Sequence, residues 1–134
     1  MMLAAFVYAA LTVAPARERV LQPDSACLHA AGQETPGQRD RSVAALAATR
    51  AINTAESVYS AKNKTYASRE ELAGYLDTVR YNLTEGNDIV PGFSLTFDRT
   101  EKGYWFEVAD KTDACGFRYI SNQKGLIFVA QPIR

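Results

Sequence analysis

Few residues in this chain are of types that carry chemistry, and their spacing narrows what they could do. His29 is the only histidine, and a hydrolase triad would need it beside a nucleophile and an orienting acid that nothing in the sequence supplies. Phosphate loops of the Gly-x-Gly-x-x-Gly or Walker type are absent, so nucleotide binding has no support. Glu107, Asp110 and Asp113 cluster at and after a strand end. Carboxylate oxygens in a loop suit a hard cation such as calcium, although three acids are too few for a dedicated cage and a solvated polar turn is the plainer reading. Cys27 and Cys115 fit no zinc or redox spacing. In an oxidising compartment they could close one long-loop disulfide; two separate thiols are the alternative. Asp24 stands where a lipoprotein signal wants an aliphatic residue, so Cys27 is not read as a lipid anchor. Trp105 is a candidate interface residue, since its strand neighbours Tyr104 and Phe106 point to the opposite face. The sequons Asn63-Lys64-Thr65 and Asn82-Leu83-Thr84 matter only on a eukaryotic secretory route, and chance accounts for them. No catalytic residue is nominated, and the protein is expected not to be an enzyme.

The elements that would position these residues follow from composition and period. The chain has 134 residues, 47 % apolar and 22 % charged, which fits one globular domain. Fifteen basic residues balance fifteen acidic ones, so no overall field draws it to nucleic acid or to an anionic membrane. Residues 1–16 run apolar from Leu3 to Ala14 and end in Ala14-Pro15-Ala16, which resembles a secretory signal despite the lack of a leading Lys or Arg. About twelve apolar residues cannot cross a bilayer as a permanent helix, so no strong membrane anchor is expected. Residues 17–41, with Pro23, Gly32, Pro36 and Gly37, read as a flexible linker, leaving 42–134 as the folded domain.

That domain reads as α+β. Ser42 to Lys62 contains no Gly or Pro and is rich in Ala. Ala48, Ala51, Ile52, Ala55, Val58 and Tyr59 form one apolar stripe, with Asp40 or Ser42 as cap and Asn63 as the left-handed residue past the end. Ser68 and Glu71 have capping-box spacing and predict a short helix from Arg69 to Leu76. Tyr81 to Pro91 reads as loop. Beyond Gly92 the period becomes two, giving four strands: Phe93 to Phe97, Tyr104 to Val108, Phe117 to Ile120 and Leu126 to Val129. Short connections make them an antiparallel meander, and the long helix can bury its stripe only by packing on that sheet.

The stretch Thr49 to Tyr59, followed by Thr65-Tyr66-Ala67-Ser68 and Glu71-Leu72, resembles the second half of the long helix and the following loop in bacterial type IV pilin-like proteins. Gly92 to Phe97, Gly103 to Val108 and Phe117 to Ile127 resemble the strands of the same heads, in the same order. The likeness covers roughly Ser42 to Phe128 and includes no catalytic signature. It implies a non-enzymatic component of the cell envelope, exported to the periplasm or cell surface, in a type IV pilus or type II secretion apparatus, with other pilin-like subunits as partners. Some pseudopilins bind calcium in their C-terminal loop, which gives the acids around Asp110 their interest. The family's basic leader, its Glu five residues into the mature chain and its long apolar helix have no counterpart in this sequence, so polymerisation in the usual way is not expected. Either a pilin head has been placed behind an ordinary secretory signal, or the true start lies upstream. A soluble periplasmic binding module of the same fold, holding a small ligand or calcium, is the second expectation.

Overall fold

The computed structural model describes residues 35–113 and 116–130. The expected signal, most of the linker and both cysteines lie outside those residues.

Helix α1 spans Pro36–Asn63 and so begins six residues before the expected Ser42. Its cap is Thr35, not Asp40 or Ser42. The Thr35 hydroxyl accepts from the Gln38 N–H, and the Gln38 side chain accepts from the Thr35 N–H at 2.8 Å. Pro36 and Gly37, which look like breakers, sit in the first turn, where an N–H has no helical partner to lose. The segment 36–41 is therefore helix and not linker. At the other end Asn63 remains helical, and Lys64 takes the left-handed conformation at φ 59°.

The buried side of α1 is Ala45, Ala48, Thr49, Ile52, Ala55, Glu56 and Tyr59. Spacings of three and four give the face the sequence leads one to expect, rotated toward two polar residues. Val58 is 53 % exposed, whereas Thr49 and Glu56 are buried. Thr49 is accommodated because its hydroxyl donates back to the Ala45 carbonyl at 2.9 Å.

Helix α2, Arg69–Leu72, has the predicted Ser68 and Glu71 capping box but lasts only one turn. Gly74 lies in the segment expected to continue it, and the backbone there closes into tighter bonds three residues apart, Gly74 N–H to Glu71 and Tyr75 N–H to Leu72. Leu72 still reaches the core.

The sheet has five strands in sequential antiparallel order, one more than expected. They are β1 (Asp88–Val90), β2 (Phe93–Thr100), β3 (Gly103–Asp110), β4 (Arg118–Asn122) and β5 (Ile127–Ala130). The added strand is β1, inside the segment read as loop. It is three residues long and irregular in register, too short to show a period, and Gly92 at φ 84° helps turn it into β2. Strands β2 and β3 pair without interruption from Phe93 opposite Asp110 to Thr100 opposite Gly103, joined by Glu101 and Lys102.

One face of the sheet carries Phe93, Leu95, Tyr104, Phe106, Val108 and Tyr119 into the core. Two contacts fix how α1 lies on it: Arg41 with Asp110 near the helix start, and Asn53 with Tyr104 further along. Twelve helix residues at about 1.5 Å each cover ~18 Å. Six strand residues at about 3.3 Å cover ~20 Å. The helix therefore runs in the sense opposite to β3, and its backbone approaches the sheet at β1 and β4.

Candidate functional site

Strand alternation decides what becomes of the acids singled out for calcium. Glu107 and Asp110 are three residues apart on or at the end of β3, so they face opposite sides of the sheet. Glu107, on the side away from the helix, pairs with Arg118 at 2.8 Å. Asp110, on the helix side, pairs with Arg41 at 2.8 Å through Oδ2, while Oδ1 accepts from the Thr112 and Asp113 backbone amides and the Thr112 hydroxyl. The oxygens of Asp110 thus tie the helix start to the strand end and order the following turn. Among the described residues no group of three or more His, Cys, Asp or Glu side chains is placed to hold a metal ion.

Trp105 stands on the sheet face that α1 leaves uncovered and is 43 % exposed. Its indole N–H donates to Asp98 Oδ2 on the neighbouring strand at 3.2 Å. By register Ile120 and Phe128 share that outer face, and Phe128 is 52 % exposed.

The most unusual chemistry lies elsewhere, toward the later half of α1. Glu56 is fully buried. Its Oε2 accepts from the Ala67 backbone N–H at 3.0 Å, while Oε1 is buried with no hydrogen-bond partner among the described residues. Burial raises the Glu56 pKa from the ordinary carboxylate range, with the Ala67 N–H and the Arg99 charge pulling the other way and Glu71 adding to the rise. Beside it Asn53 organises a polar cluster. The Asn53 amide donates to Ser121 Oγ at 2.8 Å, and its oxygen accepts from the Tyr104 hydroxyl at 3.2 Å. Tyr104 has its pKa pushed up to about 12, first by burial and then by the Glu56 charge.

These groups border a cavity of about 230 Å³ between α1 and the β4–β5 turn. Asn53, Glu56, Tyr66 and Tyr104 lie on its lining, and Lys124 and Gly125 belong to the turn. Tyr66 and Tyr104 meet edge to face with centroids 5.3 Å apart. Among the described residues Lys124 makes no ion pair. Glu56 was not singled out in the sequence, although one signal was available: it follows Ile52 by four residues and precedes Tyr59 by three, the spacing of the buried face.

No family model matches this chain, and neither a curated protein nor a solved structure is detectably similar to it. Among the described residues no helix is long and apolar enough to cross a membrane.

Proposed function

We propose that this protein is a non-enzymatic interaction subunit of the bacterial cell envelope, a pilin-like or pseudopilin-like head serving a type IV pilus or type II secretion apparatus. The observation that carries this reading is architectural: one long helix, first in the described chain, lies along a sheet whose strands follow one another in order. That is the arrangement implied by the resemblance of Thr49 to Tyr59 and of the strand segments to pilin-like heads. The outer sheet face supports it, since Trp105 and Phe128 are exposed where no element of the described chain covers them. In this reading the partners are other pilin-like subunits, and export delivers the chain to the periplasm or cell surface.

The test is photocrosslinking in the native bacterium, with a photoreactive residue in place of Phe128. The expected outcome is recovery in the envelope fraction, covalently joined to pilin-like subunits identified by mass spectrometry. A chain confined to the cytoplasm, or envelope material joined only to unrelated proteins, would overturn the proposal.

A further inference from the structure

We infer that the free edge of strand β5 pairs with the same strand of a second copy of this chain, antiparallel about a two-fold axis, and so joins two sheets into one.

The two edges of the sheet are unlike. β1 is three residues long and irregular in register, its Ile89 and Val90 side chains are buried, and the Ile89 carbonyl accepts from the Asn82 N–H at 3.0 Å. The segment before β1 therefore covers that edge, and Asp88 there is tied to Lys111 at 2.6 Å. β5 has none of these protections. Among the described residues its backbone bonds only to β4. Leu126 beside it, and Phe128 and Val129 within it, are each more than half exposed. Phe128 and Val129 are neighbours in a strand and face opposite sides, which leaves β5 open on both faces as well as along its edge.

A row of unpaired N–H and C=O groups is completed by another extended strand, and the side chains of β5 suit an identical one. From Gly125 to Ala130 there is no charged side chain, so two copies meet without like charges opposed, as a charged edge would not. With Phe128 opposite its own mate, the two rings lie side by side on the outer face, and each Ile127 falls opposite the Val129 of the other copy on the helix side. Aromatic and β-branched residues are the cross-strand pairs that stabilise a sheet. Both α1 helices then lie on one side of the joined sheet and both outer faces on the other, so the pairing leaves Trp105 uncovered. Three half-exposed side chains and one short strand of backbone on each copy fall short of the ~1,200 Å² that a lasting interface buries, so the dimer forms and parts readily.

The test is sedimentation equilibrium of the full chain up to about 1 mM, where a Kd on the order of 0.1 mM gives mostly dimer. The wild type is expected to pass from monomer to dimer over that range. Phe128→Lys and Phe128→Glu alter a side chain that solvent already reaches in the single copy. Each variant alone opposes like charges at the centre of the pair and should weaken dimerisation by about tenfold or more, whereas an equimolar mixture sets Lys against Glu and should recover it. The inference is overturned by a wild type that stays monomeric, by a dimer that either variant leaves unchanged, or by a mixture that associates no better than its components. If a variant loses the native fold, amide hydrogen exchange of the wild type decides: exchange from Ile127 to Ala130 that slows as concentration rises upholds the pairing, and exchange that stays constant there overturns it. These results are read on purified protein and do not depend on whether the outer face meets pilin-like subunits.

Discussion

The two ends of the α1–sheet contact are built from unlike materials on one continuous helix. Toward the start, Ala45, Ala48 and Ile52 are fully buried and the face is apolar apart from Thr49, which satisfies itself on its own helix. Toward the end, Asn53, Glu56 and Tyr59 take the corresponding positions, and the hydroxyls of Tyr104 and Ser121 face them from the sheet. The apolar end needs only shape and area, and small alanines allow the helix to approach closely. The polar end needs a donor for each acceptor, and it leaves one acceptor over and a cavity beside it. A helix can thus be fastened at one end by close packing while the other end is held by hydrogen bonds around a buried acid.

Four substitutions would break or sharpen this contrast. Phe106→Ala should have the largest effect, a loss of about 3–5 kcal/mol, because the ring is fully buried and lies near-parallel beside both Phe97 and Tyr104. Urea unfolding checks it: the midpoint should fall with little change of slope. Asn53→Ala, at the polar end, should cost about 1–3 kcal/mol by leaving Tyr104 and Ser121 without their shared partner. Chemical denaturation of a double-mutant cycle with Tyr104→Phe should show the two losses to be strongly non-additive.

Glu56→Gln should act in the opposite direction, raising stability by about 1 kcal/mol at neutral pH, since a buried charge is replaced by a neutral group of the same shape. The folded state binds the Glu56 proton more tightly than the unfolded chain. Its contribution therefore falls as pH rises from the ordinary carboxylate range through the raised value, and is lost above it. Glu71 and Asp88 run the other way, their pKa values lowered chiefly by bonds from Tyr59 and Lys111, so what they contribute is lost as pH falls. Melting temperatures of wild type and Glu56→Gln should therefore converge in acid and separate toward neutrality. Arg41→Ala should have the smallest effect, about 0.5–1 kcal/mol, because the guanidinium is partly solvated and Asp110 keeps its turn donors. Amide hydrogen exchange should show faster opening confined to the first turns of α1.

How much of this was legible in the sequence depended on whether the signal was local. The alternation of Phe93, Leu95 and Phe97, and of Tyr104, Phe106 and Val108, disclosed the central hairpin, because a half-buried strand writes its period into its own residues. Ser68 and Glu71 disclosed a cap for the same reason. Thr35 and Gln38 have the same spacing and were masked by Pro36 and Gly37, whose usual meaning reverses in a first helical turn. Strand β1 was hidden because three residues carry no period, and Asp88 lies beside the turn residues Gly86 and Asn87. Glu56 was the least legible. An acid amid alanines reads as solvated, and its burial depends on the Ala67 N–H eleven residues further on, a tertiary fact. The acids singled out at the end of β3 show the reverse: Glu107 and Asp110 are close in sequence, but pleating sends them to opposite faces.

The sequential order of the strands bears on the birth of the molecule. Each ribbon pairs with the one made just before it, so the sheet assembles from contacts between near neighbours in the chain, the quick kind. The helix is translated earlier, yet Asn53 leans on Ser121, and at about 5–20 residues per second that support follows several seconds behind. Without the sheet α1 lacks the packing that gives a helix most of its stability in a protein, and Ile52 and Tyr59 have no apolar partner to cover them. Although α1 is made before the strands, it is among the last parts to come to rest.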